Sequence, residues 1–432
     1  MLEPILKRIK STCLKYSIMA AAGICLFHEA STQQLAFPGA EGFGRFATGG
    51  RGAEVYHVTN LNDSGPGSFR DAVSQPNRTV VFEVGGVIEI KNRIVVSPNI
   101  TIAGQTAPGE GITVYGNGVS YSDANNTITR FIRYRMGKIG EKDKDAIGIA
   151  HGKDMIFDHV SISWGKDGTF DLNGDVSNVT LQHSIIGHGL QTHSTGGLVQ
   201  STGGVSILNC LYINNHTRNP KVKGLNQFVN NVVYNWAVAG YILGGFSKGI
   251  SKANVEGNYF IAGPESGHTP PFSRANENFH LYSKNNWYDA NRNGILDGEP
   301  ISKIVYGAVT WEEKPFDYPH INVKAPDQAY QLVVEHVGAS LQRDEVDKNL
   351  IRDLTSLGTL GKTIHDEMEL PTKGPGTVKG GKAPIDTDRD GIPDHWELAN
   401  GLDPNDPEDG KRINPDGYSN LEIYLNGLVH PQ

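Results

Sequence analysis

The run MIFDHVSISW at 155–164 holds two short apolar segments split by Asp-His. The same pattern returns in other letters as VTLQHSIIGH (179–188), VSILNCLYINN (205–215), NQFVNNVVYNW (226–236), ANVEGNYFIAG (253–263) and FHLYSKNNWYD (279–289). Anchored before the second apolar segment, the repeats align at His159, Ser184, Cys210, Asn231, Asn258 and Asn286, with spacings of 25, 26, 21, 27 and 28 residues. β-Branched and aromatic residues with period two, broken by Gly and Asn, are strand patterns. A repeat of this length without helical period predicts an all-β chain, a parallel β-helix whose inward side chains stack from coil to coil. Asn231, Asn258 and Asn286 are expected to form a ladder at one turn. TVVFEVGG (79–86), GVIEIKNRIVV (86–96) and NITIAG (99–104) extend the stack toward the N-terminus. A two-sheet sandwich is the competing architecture.

Beyond residue 300 the texture changes. PDQAYQLVVEHVGAS (326–340) starts on Pro-Asp, ends near Gly and places Leu332, Val333 and Val337 on one face, so it predicts an amphipathic helix. RDEVDKNLIRDL (343–354) predicts a second, charged helix. Residues 301–370 are therefore expected as helical decoration, PTKGPGTVKGGKAP (371–384) as a flexible linker, and 385–432 as a separate small module. At the other end, Lys7, Arg8, Lys10 and Lys15 precede the apolar run YSIMAAAGICLF (16–27), which is short for a membrane span and suits a cleaved leader over 1–30. Removing it leaves 35 basic and 45 acidic residues, which argues against nucleic acid as a partner. It also leaves Cys210 as the one cysteine, so no internal disulfide is expected.

Two groups of charges point to chemistry. DTDRDGIPDHWE (386–397) puts Asp386, Asp388, Asp390 and Asp394 at positions 1, 3, 5 and 9, Gly391 at 6 and Glu397 at 12. Oxygen ligands at alternate positions, with the Ile392 carbonyl at 7, are the pattern of an EF-hand-like Ca²⁺ loop. Asn414, Asp416 and Glu422 are expected to complete a pair, and DANRNGILDGE (289–299) is a partial loop with Pro300 at position 12. Asp145, Asp167 and Asp171 lie about one coil apart, so a stacked coil brings three carboxylates together, and a hard cation would relieve their repulsion. In HTRNPKVKG (216–224), Arg218 is followed by Lys221 and Lys223, which share one side of an extended chain. Cations beside a carboxylate cage suit an acidic sugar polymer.

GSFRDAV (67–73), TVVFEVGGVIEI (79–90), ITIAGQTAPGEGI (100–112), DAIGI (145–149), FDHVSISW (157–164) and RNPKVKG (218–224) together resemble polysaccharide lyase family 1, the pectate lyase group, over roughly 36–300. The resemblance implies a right-handed parallel β-helix, a lyase domain over 31–300, and calcium-dependent β-elimination of α-1,4-linked polygalacturonate to 4,5-unsaturated oligogalacturonides. Asp145, Asp167 and Asp171 match the family's calcium aspartates and Arg218 its proposed base. Lys223 stands where the family more often has a second arginine. The family's lysine after the strand holding His183 is missing. GHGLQTHSTGGLV (187–199) offers His188 and His193 instead, and His193 joins Lys221 and Lys223 as an expected substrate contact. The C-terminal module resembles tails of secreted bacterial members. A monomer that is secreted, periplasmic or on the cell surface of a bacterium is therefore expected. A lyase for another uronan, a polygalacturonase-type hydrolase with paired carboxylates and a non-catalytic glycan-binding β-helix are the alternatives.

Overall fold

The computed structural model describes residues 33–190 and 195–429; the leader region 1–30 and His193 lie outside the described residues. Two parallel sheets run along the coil stack. At the centre of the first, β1 (Ile147–Asp158), β2 (Phe170–Gln182), β3 (Leu198–Leu208) and β4 (Lys221–Val229) pair in chain order. Two short strands, β5 (Tyr241–Leu243) and β6 (Phe272–Ser273), continue the N-terminal edge of β4. The second sheet interleaves with the first, one short strand per coil, as in Ser161–Ser163, Ile185–Gly187, Leu211–Ile213 and Val232–Tyr234. The architecture is the expected parallel β-helix.

Register makes the core. Phe157, Leu181, Ile207, Phe228 and Val255 face one another across successive strands, and all are buried. Neighbouring strands lie ~4.8 Å apart, so these side chains form a continuous column. Each buried side chain of this size contributes about 2 kcal/mol.

The corner after each strand of the first sheet is left-handed: Phe131, His159, His183, Asn209 and Asn230 have φ between 47° and 56°. The rings of Phe131, His159 and His183 stack at 4.6 and 4.9 Å. The next position carries the ladder. The Val160 amide donates to Ser184 Oγ, and the Cys210, Asn231 and Asn258 amides donate to Oδ1 of Asn231, Asn258 and Asn286 at 2.8, 2.8 and 3.0 Å. The repeat therefore anchors on Val160 in its first coil; His159, aligned there from sequence, belongs one position earlier, to the corner.

Both helices form. α1 (Pro326–His336) and α2 (Glu345–Thr355) lie on the outer face of the second sheet, where Tyr330, Val333, Leu350 and Leu354 pack on Ile185, Leu211, Val232 and Ile261. Arg135 Nη2 donates to Asp344 and Asp347 of this helical segment at 2.9 Å, a buried ion pair whose remaining oxygen is satisfied by Ser161 Oγ at 2.6 Å. Stretch 371–384 runs as a strap: the Glu110 amide donates to the Lys379 carbonyl, and the Lys379 amide to Glu110 Oε2. The last segment, with α3 (Asp394–Asn400) and α4 (Asn420–Gly427), lies in the same compact unit as the coils. Ile392, Leu421, Tyr424 and Leu425 pack against Val55 and Ala103. Among the described residues no helix is long and apolar enough to cross a membrane.

Candidate active site

Asp145 and Asp171 come together on the outward side of the first sheet, where β1 and β2 begin. Leu172, Val199 and Val222 are paired and buried. By the period-two alternation of a strand, Asp171, Leu198 and Lys221, one position earlier, face outward. Asp171 Oδ1 accepts the Leu198 amide at 2.8 Å, and Asp145 Oδ1 accepts the Gly168 amide at 2.8 Å. A Cβ on Gly168 would stand 1.8 Å from Asp171 Oδ1 and 3.1 Å from Asp145 Oδ1. Two carboxylate oxygens thus flank one point, and only glycine leaves that point clear. Burial, set against the Gly168 hydrogen bond and reinforced by Asp167, pushes Asp145 up to about 6. Burial and then Asp145 push Asp171 well above the usual carboxylate range, with Arg218 pulling the other way. Converging, destabilised carboxylates with oxygen-only donors fit a hard divalent cation.

The basic stretch is fixed by its backbone. Arg218 is left-handed at φ 56°, its carbonyl accepts the Gly197 amide at 2.8 Å, and the Lys221 amide returns to the Gly197 carbonyl at 3.0 Å. Lys221 pairs with Leu198 and Lys223 with Gln200, so both lysines face the side that Asp171 faces. Burial lowers the Lys221 ammonium below its ordinary value, helped by Lys223, Arg218 and Arg274. Arg274 was not singled out in the sequence; it lies 51 residues beyond Lys223 and comes near Lys221, on the side away from the aspartates, through coil register. Arg93 is a second addition, since a Cβ on Gly148 would meet both Arg93 Nη2 and Asp145 Oδ2. His188 turns inward. Its Nε2 lies 3.1 Å from Asn214 Nδ2, and burial drives its imidazole down to about 3, so it is a neutral core group.

The C-terminal loop gathers carboxylates in part as expected. Oxygens of Asp386, Asp388 and Asp390 lie within 4.8 Å of one another, as do those of Asp390, Glu397 and Asp409. Asp388 Oδ2, Asp390 Oδ2, both Glu397 oxygens and Asp409 Oδ1 are buried without a hydrogen-bond partner. Such a donor set is costly to bury unless a cation completes it. Burial followed by repulsion from neighbours pushes Asp390 to about 7 and Glu397 to about 8. Ile392 anchors the loop through a fully buried side chain, and its amide donates to Asp390 Oδ1.

Two expectations change here. Asp394, read as the ninth-position ligand, spends both oxygens on the Thr387 amide and hydroxyl at 2.7 Å. Asp409, not singled out in the sequence, joins the cluster instead. The proposed second half also dissolves: Glu422 pairs with Arg51 at 2.7 Å and closes a capping box with Ser419, while Asn414 bonds Asn420 and Asp416 accepts the Tyr418 amide. In the partial loop, both oxygens of Asp297 accept from the side-chain amides of Asn291 and Asn293.

No protein-family model matches the chain. It is 55% identical over 398 residues to a probable pectate lyase C of Aspergillus flavus, covering 91% of this chain and 94% of that one. It is 54% identical over 419 residues to a probable pectate lyase C of Aspergillus fumigatus, covering 96% and 99%. Among solved structures, a thermostable pectate lyase matches with a TM-score of 0.51 at 14% identity, over 72% of this chain and 99% of that one. The major allergen from cedar pollen matches with 0.51 at 18% identity, over 69% and 92%. At such identities the structural likeness is one of fold. The relatives at 52–55% identity are fungal, which overturns the expected bacterial placement with its periplasmic and bacterial cell-surface variants.

Proposed function

The chain belongs to the pectate lyase family, and from that premise we propose that it is a secreted enzyme that cleaves α-1,4-linked polygalacturonate by calcium-dependent β-elimination, giving 4,5-unsaturated oligogalacturonides. The observation that carries the reading is the glycine-lined point between Asp145 and Asp171, with Lys221 facing the same side two coils on. Asp145, Asp171 and, by position in the sequence, Asp167 are the residues that would hold the ion. When bound, it would draw electron density from a uronate carboxylate and acidify the hydrogen at C5.

The rest falls to side chains of this chain. Lys221 and Lys223 hold the anionic polymer in register, each as a point charge. Arg218, as the neutral guanidine, takes the C5 proton on a side-chain nitrogen and becomes guanidinium. The C–H pair becomes the C4–C5 double bond, the C4–O bond breaks, and the departing sugar oxygen takes a proton from water. Neutral guanidine is rare in proteins. His193, outside the described residues, remains part of this proposal as a substrate contact. Asp386, Asp388, Asp390 and Glu397 are proposed to hold a second, structural calcium with the Ile392 carbonyl and Asp409. Export rests on the basic-then-apolar pattern of 1–30. The proposed domain bounds are 31–300 for the lyase coils, 301–370 for the helical extension, 371–384 for the strap and 385–432 for the calcium module.

The test is ultraviolet absorbance of the new double bond on polygalacturonate. Absorbance should rise with calcium and stop with chelator. Cleavage without the absorbance, or undiminished in chelator, would refute the proposal.

A further inference from the structure

The turn after β5 carries an exposed aromatic ring beside the basic cluster. Phe246 is 65% exposed and left-handed at φ 61°, a conformation bulky residues avoid. The other left-handed Phe and Trp residues among those described, Phe131 and Trp164, are buried. The turn is pinned: the Gly244 amide donates to Val222, the Phe246 amide to the Arg274 carbonyl at 3.1 Å, and Asn276 Nδ2 to the Ser247 carbonyl at 2.9 Å. The ring is therefore presented to solvent on a fixed backbone, strained as residues at functional sites tend to be.

Lys221 and Arg274 belong to the coils on either side of it. A Cβ on the adjacent Gly245 would lie 2.9 Å from Lys221 Nζ. Register carries the column from Lys221 through Ile242 to Ser273, and the exposed Arg274 follows directly. The turn of Phe246 thus sits between the coil of Lys221 and that of Arg274. Ser273 is four strands from Asp171, ~19 Å along the stack, beyond a short oligomer centred on the aspartates.

We propose that Phe246, flanked by Lys221 and Arg274, forms a distal subsite for one uronate residue of a long acidic polymer. The ring stacks on the C–H face of the sugar, and Arg274 takes its carboxylate through paired N–H donors. The inference rests on the polygalacturonate reading above and adds a preference for long chains.

The experiment compares kcat/KM on polygalacturonate with kcat/KM on trigalacturonate, for the full chain with calcium. For Phe246→Ala and for Arg274→Gln the polymer-to-trimer ratio should fall roughly threefold to tenfold, as loss of one aromatic or ionic contact implies. Phe246→Trp should restore it. A ratio unmoved in both variants overturns the subsite, and so does a Phe246→Trp enzyme as impaired as Phe246→Ala. A parent enzyme inactive on both substrates would instead defeat the underlying functional reading.

Discussion

Calcium entering the C-terminal loop should expel protons, and the number follows from the carboxylates gathered there. Glu397 sits at about 8 against an ordinary 4.5, and Asp390 at about 7 against 3.8, in each case through burial first and repulsion second. At pH 7 Glu397 then carries most of a proton and Asp390 about half of one. A calcium ligand must be deprotonated, so binding at pH 7 should release about 1.4 protons from these two groups. By pH 9 the release should fall to roughly 0.1. Titration calorimetry in two buffers of different ionisation enthalpy reads this number. Gly168→Ala as background suppresses the contribution of the Asp145 site, and Asp409→Asn should erase the isotherm that remains.

The same shifts set a stability profile. Because the folded values lie above the unfolded ones, the folded chain binds more protons between about pH 4 and 8. In chelator its stability should therefore decline as pH rises through that window, whereas with calcium the decline should vanish. Proton release near zero at pH 7, or an isotherm indifferent to Asp409→Asn, would refute the argument.

Three further outcomes are expected. Gly168→Ala drives a methyl group into Asp171 Oδ1, so kcat/KM on polygalacturonate should fall about 100-fold or more while circular dichroism stays unchanged. Arg218→Ala should abolish turnover yet leave polymer binding, followed by equilibrium dialysis, largely intact; retained turnover would remove Arg218 from the proposed role. Asn258→Ala strands the Asn231 amide in the core and takes a side-chain donor from the Phe228 carbonyl and from Asn286 Oδ1, which keeps the backbone amide of residue 258, and should cost about 2 kcal/mol in urea unfolding. A loss below about 1 kcal/mol would mean that the ladder relaxes around the gap.

The parallel stack was legible because burial in it is local and periodic. Apolar pairs at 207 and 228, or at 181 and 157, must point inward in every coil, and Asn231, Asn258 and Asn286 repeat at the position after the corner. The one-residue misplacement of His159 shows the limit. His and Asn both tolerate the left-handed corner, and both the corner and the ladder position favour polar residues. The letters alone do not say which column a residue joins.

Organism left no physical trace in the chain, and the bacterial expectation failed for that reason. The sequence by itself determined the β-helix, the two outer helices, the acidic loop at 386–397 and the basic stretch at 218–223. Tertiary structure decided which charges meet. Asp409 replaces Asp394 in the loop, Glu422 leaves for Arg51, His188 turns into the core, and Arg274 comes near Lys221 from another coil. The reason is register. Coil lengths vary from 21 to 28 residues, and a shift of one residue turns a side chain to the opposite face. Period fixes inside from outside, but only the folded coils set which outward groups share a site.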